Sequence, residues 1–209
     1  NGIERYCLWI DDEKVGEANK IKLIKERIDK CKKFRMNGGR DAKKAVTVSH
    51  RFFYRKYKYS KAIILPMTSS ERRDYITCDY LDAGIVFSNG VLIIYDPELY
   101  IFSILSSKMH MAWTKAVAGR LKTDIRYSGT ICFNTFPFPN ITPQQKEALT
   151  GHVYNILEER EKYPDRTMAE LYDPEKMPEG LRDAHEYLDI AIDKIYRNKP
   201  FENDEDRLA

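Results

Sequence analysis

The chain changes character at the stretch Asn134-Thr135-Phe136-Pro137-Phe138-Pro139. We interpret this stretch as a linker that packs two aromatic side chains at a domain junction. Before it, short β-rich runs such as AIILP (62–66) and VLIIY (91–95) alternate with helical patterns, whereas only helical patterns follow it. The sequence therefore predicts an α+β fold. A mixed, largely antiparallel sheet with flanking helices should occupy residues 1–139, followed by an acidic helical subdomain over residues 140–209.

Local signals predict individual elements within the first part. The runs at 85–87 and 91–95 flank Ser88-Asn89-Gly90, which favours a β-hairpin. The sequence Asp96-Pro97-Glu98 predicts the start of a helix that continues to about residue 118. The stretch from 124 to 133 is again strand-like.

The composition limits the class of protein. The 209 residues include 35 Lys and Arg against 32 Asp and Glu, and 43% of them are hydrophobic, which excludes a membrane protein and argues against general disorder. No apolar run approaches the roughly 18 residues that a spanning helix requires. The four cysteines are widely separated and form no C-x-x-C pair, so we expect reduced thiols and a cytoplasmic protein.

The small net charge conceals a strong asymmetry. Residues 20–61 carry 16 Lys and Arg against three acidic residues, a net charge of +13, whereas residues 140–209 have a net charge of −7. Within the basic segment, Arg51, Arg55 and Lys56 are interleaved with aromatic residues, a composition suited to binding nucleic-acid phosphates. The alternative is a solvated basic helix followed by a loop whose aromatic side chains fill the core.

The sequence shows no catalytic or metal-binding motif. It contains no Gly-rich phosphate loop after a strand, no H-E-x-x-H and no G-x-S-x-G, and its four histidines lie in unrelated segments. We therefore predict no catalytic residue, metal site or cofactor site in this chain, and no reaction can be assigned to it alone.

A charged strand offers a means of reading bases. If residues 120–128 are extended, Lys122, Asp124 and Arg126 project from one face while Ile125 and Tyr127 point the other way. Lys or Arg can donate to guanine O6 and N7, and Asp can accept from cytosine N4, so Lys122 and Asp124 could read one G·C pair. The alternative is a surface strand whose opposite charges pair with one another.

Several motifs resemble the target recognition domain of MmeI-like enzymes, single-chain restriction–modification proteins that join a nuclease, an adenine-N6 DNA methyltransferase and a recognition domain. They are SSERRDYI (69–76), SKMHMAW (107–113), GRLKTD (119–124) and NTFPFP (134–139). The stretch from Leu171 to Asp189 is similar to the helical C-terminal region of the same family. The motifs occur in order and span nearly the whole chain.

The resemblance implies a recognition module that selects a site in double-stranded DNA. The family's base-reading positions fall on Lys122 and Asp124, with Arg126 two residues on, and on Met67, Asn89 and Gly90. Met67 departs from the charged residue expected at its position. Asn89 could pair with adenine N6 and N7. Candidate phosphate-binding residues, besides those in the basic segment, are Arg72 and Arg73 of the first motif.

The resemblance also implies that the chemistry lies elsewhere. The chain begins without an initiator Met and ends on what is typical of a helix start, so we expect a fragment of a longer protein. Its partners would be the methyltransferase domain of the same polypeptide, with or without a nuclease domain. The longer protein would be a site-specific DNA adenine methyltransferase using S-adenosyl-L-methionine, while the fragment itself would be no enzyme.

Two other classes of function remain open at this point. One is the specificity module of a different DNA-modification or phage-defence system. The other is a scaffold that binds no DNA, in which the basic and acidic helices dock neighbouring domains.

Overall fold

The computed structural model describes residues 6–55 and 57–209, which form two compact units divided between Tyr57 and Lys58. The first unit is helical, with 3₁₀ turns at Asp12–Lys14 and Val46–Val48 and helices α1 (Val15–Ala18), α2 (Lys22–Met36) and α3 (Arg40–Lys44). The apolar spacing of Ile21, Ile24, Ile28 and Cys31 predicts a single amphipathic helix over residues 17–34. The structure divides this stretch between α1 and α2. None of the described helices is long and apolar enough to cross a membrane.

One arginine organises the first unit. The guanidinium group of Arg35, on α2, donates hydrogen bonds to the backbone carbonyls of Ala45 (2.7 Å), Val48 (2.8 Å) and Arg51 (2.8 Å). These carbonyls belong to consecutive turns, and those of Ala45 and Val48 also accept the backbone N–H groups of Val48 and Arg51. A single side chain therefore adds a second donor to these turns and joins them to α2. The segment 45–51 is thereby held against α2.

The second unit contains two three-stranded antiparallel sheets, which confirms the predicted α+β class. The first sheet has the order β3-β1-β4 and the second the order β2-β6-β5. The strands are β1 (Ala62–Pro66), β2 (Thr68–Ser69), β3 (Asp79–Leu81), β4 (Val91–Tyr95), β5 (Gly119–Leu121) and β6 (Asp124–Arg126).

Met67 joins the two sheets. Its N–H donates to the carbonyl of Gly90 (2.9 Å), and its own carbonyl accepts from the N–H of Tyr127 (3.0 Å). The extended segment 62–69 therefore pairs with β4 as far as Pro66 and with β6 from Thr68 onward. One continuous stretch of chain serves both sheets.

The predicted hairpin of 85–87 with β4 is wrong. Residues 85–87 form no strand, and β4 pairs instead with β1 over five residues, from Ala62 opposite Tyr95 to Pro66 opposite Val91. β1 is central in its sheet, and three of its five residues are buried, so its backbone groups need partners on both sides. The strands β3 and β4 supply them.

The helix predicted from Asp96 begins later and is interrupted. Asp96 has a φ of +51° and donates its N–H to the carbonyl of Lys61 (3.0 Å), so it closes the sheet instead of capping a helix. Helix α4 spans Tyr100–Leu105 and α5 spans Lys108–Val117. Ser107 is the N-cap of α5, where its hydroxyl accepts from the N–H of His110 (3.2 Å).

The strand-like stretch predicted to extend to Phe133 is also shorter than expected. It ends at Arg126, and residues Gly129–Phe133 form a π-helical turn. The C-terminal part is helical, as predicted, and contains α6 (Pro143–Glu161), α7 (Met168–Leu171), α8 (Glu179–Tyr196) and α9 (Asp204–Leu208). A capping box between Thr142 and Gln145 starts α6.

The C-terminal helices share one hydrophobic core with the sheets. Buried Val153 and Ile156 of α6 and Leu188 of α8 belong to the same cluster as Ile63 of β1 and Ile125 of β6. The division between residues 139 and 140 stays a prediction about domain organisation. In space, residues 58–209 form one compact unit.

A buried arginine ties α6 to the first sheet. The Arg160 guanidinium donates to the Tyr172 hydroxyl (2.8 Å) and to the carbonyl of Cys78, the residue before β3 (2.9 Å). The Tyr172 hydroxyl in turn lies 2.7 Å from His185 Nε2 on α8. Every partner is buried, so each of these hydrogen bonds would be costly to lose.

A second buried contact ties α8 to α5. Tyr75 stacks on His185, with ring centroids 4.1 Å apart, and donates its hydroxyl to Asp189 Oδ2 (2.9 Å). The other oxygen of Asp189 accepts from the backbone N–H of Lys108, the first residue of α5 (2.7 Å). A carboxylate on α8 therefore caps α5, the helix that precedes β5.

Replacing Asp189 with Asn should remove a pH dependence of stability. Burial raises the pKa of Asp189 from 3.8 to about 7, so between these values the native state retains a proton that the unfolded chain releases. Relative to Asp189→Asn, the wild-type free energy of unfolding should fall as the pH rises toward 7, by at most about 1.4 kcal/mol per pH unit, and then level off. Urea unfolding across this pH range measures the difference. A difference that does not vary with pH would mean that Asp189 is ionised throughout.

Candidate nucleic-acid interface

The strands β5 and β6 form a hairpin with a two-residue turn. Gly119 lies opposite Arg126 and Leu121 opposite Asp124, which leaves Lys122 and Thr123 as the turn. The expectation that Lys122 and Asp124 share one strand face is therefore wrong, because Lys122 is not on a strand. It lies at the tip of the hairpin, next to the start of β6.

The predicted alternation along β6 is confirmed. Ile125 is 1% exposed and Tyr127 is 2% exposed, whereas Arg126 is exposed and Asp124 is half-buried. Successive side chains of a strand point to opposite faces, so the buried pair turns Asp124 and Arg126 toward solvent. The outer face of this short strand is the charged one.

The charged side chains of this hairpin do not pair with one another. Lys122, Asp124 and Arg126 form no ion pair or side-chain hydrogen bond within the described part of the chain. Their neighbour Arg120 differs, because it donates to the carbonyl of Lys115 (3.3 Å) and lies 3.9 Å from Glu71. The alternative of a self-paired surface strand therefore does not describe this structure.

The other candidate base-reading residues lie where the two sheets meet. The backbone hydrogen bonds of Met67 join it to Gly90 on one side and to Tyr127 on the other. Asn89 and Gly90 are exposed in the turn before β4, and Met67 is half-buried. The structure thus connects three separate stretches of sequence through one junction, and Lys122 lies at the opposite end of the hairpin.

The candidate phosphate-binding arginines of the first unit already have acidic partners. Arg51 Nε lies 2.8 Å from Asp12 Oδ1, and the same oxygen lies 2.6 Å from His50 Nε2. Arg55 donates to Asp11 Oδ1 (2.6 Å), and its guanidinium lies 4.4 Å from the centre of the Trp9 ring. The hydrogen bonds from Arg51, the largest cause, and from His50 lower the pKa of Asp12.

Lys56, predicted with these arginines, lies outside the described residues. Arg72 and Arg73 follow β2 in the second unit. Arg72 is exposed and lies 2.6 Å from Glu175, whereas the half-buried Arg73 forms no ion pair with any described residue. Among the described residues, no three His, Cys, Asp or Glu side chains are grouped as a metal site.

Comparison with known families accounts for the whole chain. Residues 1–140 match the family model of the MmeI target recognition domain, and residues 141–209 match that of the MmeI C-terminal domain. The chain belongs to the MmeI family. The resemblance inferred from the sequence motifs is thereby confirmed.

Two relatives of this MmeI-family chain show how much of a larger protein it represents. DNA methyltransferase A of Bacillus subtilis (strain 168) is 42% identical over 209 residues, which cover all of this chain and 24% of that protein. The solved structure of the Type IIL restriction-modification enzyme MmeI in complex with DNA superimposes with a TM-score of 0.88 at 34% identity. The superimposed region covers 97% of this chain and 27% of the MmeI chain. The chain spans about a quarter of the length of both relatives.

Sequence reasoning missed the residues that hold the hairpin in place. Tyr127 lies 2.8 Å from His110 Nε2 through its hydroxyl, and both side chains are buried. Both residues were present in the sequence motifs or beside them, but nothing in their spacing shows that α5 and β6 come together. The turn was missed as well, since Lys122-Thr123 lacks the Asn or Gly that marks a tight hairpin.

Lys122→Gly should stabilise the fold even though it removes a charged side chain. Lys122 has a φ of +58°, which favours glycine, and relief of this strain should outweigh the added entropy of the unfolded chain by up to about 1 kcal/mol. Thr123→Gly is the matched control, because the adjacent turn residue has no positive φ and should lose about 0.5–1 kcal/mol. Urea unfolding compares the two. A less stable Lys122→Gly protein would show that the turn is not strained.

Proposed function

We propose that this chain recognises a specific sequence in double-stranded DNA through the β5–β6 hairpin. The observation that supports this most directly is that Lys122, Asp124 and Arg126 form no ion pair or side-chain hydrogen bond with any described residue. They lie on or beside β6, whose outer face is charged. A surface that served only to hold phosphates would gain nothing from Asp124, since an anion there weakens the attraction to the backbone. An anion among cations suits the mixed donors and acceptors of base edges.

The chemistry of each side chain defines what it can read. Lys122 and Arg126 can donate to guanine O6 and N7, while Asp124 can accept from cytosine N4. Asn89 can pair with adenine N6 and N7, and Gly90 lets a backbone come close to the groove. Met67 has no strong donor or acceptor, so we assign it apolar contact only.

The backbone strain at Lys122 agrees with this assignment. A lysine persists at a φ of +58°, where glycine would be less strained. Residues with strained backbone conformations are concentrated at functional sites, where the function of the side chain offsets the free-energy cost of the strain. From the exposed tip of the hairpin, the long side chain of Lys122 can reach into a DNA groove.

Phosphate contacts would supply affinity without sequence preference. We assign this role to Arg51, Arg55 and Lys56 of the basic segment and to Arg72 and Arg73 beside β2. Arg51 and Arg55 each have an aspartate partner, and their side chains are about one-fifth exposed, at 21% and 20%. A phosphate oxygen resembles a carboxylate oxygen as an acceptor for guanidinium, so it can take the place of the aspartate.

We further infer that the chain is the recognition part of a longer adenine-N6 DNA methyltransferase, with or without a nuclease domain. Both relatives are about four times longer than this chain, and one is named a DNA methyltransferase. Residues 1–139 would form the recognition domain. Residues 140–209 would support it, since Asp189 of α8 caps α5.

The expected methyl donor of the longer protein, S-adenosyl-L-methionine, does not fit the cavity of the first unit. This cavity of about 270 Å³ is lined by four cationic side chains together with hydroxyl, imidazole, thiol and apolar groups, and no carboxylate side chain lines it. The cations are Arg27, Lys30, Arg35 and Arg51. The donor carries a sulfonium, an ammonium and one carboxylate, so its net charge is positive and the four cations oppose its binding. The residues that bind the donor and transfer its methyl group would therefore belong to the rest of the longer protein.

Reversing the charges of the hairpin should change the recognised sequence. In the test, the full-length protein methylates random plasmid DNA with S-adenosyl-L-methionine, and the positions of N6-methyladenine are then mapped. The wild type should methylate one defined motif, and Lys122→Glu with Asp124→Arg should invert the preference at one G·C pair, because donor and acceptor have exchanged places. Each correct contact should contribute about 1–3 kcal/mol of discrimination.

The control for the charge reversal is Lys115→Glu, on α5 outside the hairpin strands, which should leave the motif unchanged. Retention of both activity and motif by the reversed hairpin would show that Lys122 and Asp124 touch no base.

Removing the two arginines of the first unit should weaken all duplex binding alike. Arg51→Ala with Arg55→Ala should lower the affinity for preferred and random duplexes by the same factor and reduce the slope of log K against log salt by about 0.9 per lost contact. Arg40→Ala, which removes an exposed cation of the same unit that also lies near an aspartate, is the comparison variant. Fluorescence anisotropy over a range of salt concentrations measures the slopes. An affinity that did not depend on salt even in the wild type would instead indicate a docking scaffold.

A further inference from the structure

We propose that Tyr127 and His110 are positioning residues for base recognition, and that the hydrogen bond between them fixes the strand that carries Asp124 and Arg126. The proposal rests on the proposed DNA-reading function of the β5–β6 hairpin. Tyr127 is 2% exposed and His110 is fully buried, so neither side chain is placed to touch DNA. Both act through the backbone of β6.

Tyr127 is held at two points. Its N–H donates to the carbonyl of Met67 (3.0 Å), and its hydroxyl lies 2.8 Å from His110 Nε2 on α5. The backbone contact ties the end of β6 to the junction of the two sheets, and the side-chain contact ties it to a helix. Because side chains alternate along a strand, the inward position of Tyr127 determines the outward direction of Arg126.

The strand pairing alone holds β6 weakly. β6 has three residues, pairs with two residues of β2 and three of β5, and begins directly after a strained turn. A hairpin of this size is marginally stable unless one face is packed. The two inward side chains differ in how they hold the strand. Ile125 makes apolar contacts, which have no preferred direction, whereas the hydrogen bond of Tyr127 is directional.

His110 is itself firmly placed. Its N–H donates to the Ser107 hydroxyl at the N-cap of α5 (3.2 Å), and its ring packs edge-to-face on Phe136, with centroids 4.5 Å apart. Burial lowers the pKa of His110 to about 3, so the imidazole is neutral. Its Nδ1 is buried and has no hydrogen-bond partner among the described residues, which leaves the Tyr127 hydroxyl as the polar contact of the ring.

Tyr127→Phe in the 209-residue chain tests the proposal, with duplexes that contain about ten randomised base pairs as the probe. Bound duplexes are sequenced, and Asp124→Asn and Arg126→Gln identify the positions that the hairpin reads. At those positions Tyr127→Phe should reduce discrimination between the best and worst base pair about tenfold or more. Its affinity for a duplex of random sequence should stay within about twofold, since the phosphate contacts are unchanged.

Two further variants separate positioning from stability. Tyr75→Phe also removes a buried tyrosine hydroxyl, the one bound to Asp189, but Asp189 retains the N–H of Lys108, so α5 stays capped and discrimination should persist. His110→Phe removes the same hydrogen bond from the other side and should reproduce the loss seen with Tyr127→Phe. Circular dichroism confirms that each protein is folded at the assay temperature.

The outcomes decide between the alternatives. Unchanged discrimination in Tyr127→Phe, or equal weakening of preferred and random binding, would overturn the positioning role. So would unfolding of both Tyr127→Phe and His110→Phe, because the pair would then serve stability alone. A wild-type chain that enriches no sequence from the library would instead refute the proposed function itself, and the positioning role with it.

Discussion

The arrangement of the second unit depends on the backbone of one residue. A buried strand cannot leave its N–H and carbonyl groups unpaired, and Met67 meets this requirement by turning one group to each sheet. Its N–H fixes the register of β1 against β4, and its carbonyl fixes that of β2 against β6. Since a slip by one residue would turn every side chain to the wrong face, the position of the hairpin follows from the pairing of the first sheet.

The C-terminal helices are joined to the sheets by buried polar contacts. The chain of buried polar contacts from Arg160 through Tyr172 to His185 joins α6 and α8 to the sheet, and Asp189 extends it to α5. A buried guanidinium without its partners would be strongly destabilising, so these helices cannot shift independently of the strands. The family boundary at residue 140 therefore divides the sequence but does not divide the core.

Sequence patterns predicted what is local and failed where distant partners decide. The alternation at Ile125 and Tyr127, the helices after residue 139 and the charged face of β6 follow from spacing alone. The pairing partner of β4 could not be predicted from spacing, because β4 pairs with β1 and not with the adjacent residues 85–87. Asp96 is a residue type that often caps helices, yet its N–H donates to the carbonyl of Lys61 at the edge of the sheet. Lys122 could not be placed in a turn because its φ contradicts ordinary preferences for lysine.

If Arg51 and Arg55 bind phosphates as proposed, the aspartates beside them would affect the kinetics of DNA binding. A phosphate that reaches either arginine has to displace a carboxylate that is already in place, so part of the attraction is spent in the exchange. Fewer small cations are then released than the +13 charge of residues 20–61 alone would indicate. Under the proposed function, the protein would therefore leave random sequence quickly. Its residence time would depend on the base pairs that it recognises and much less on the length of DNA that it contacts.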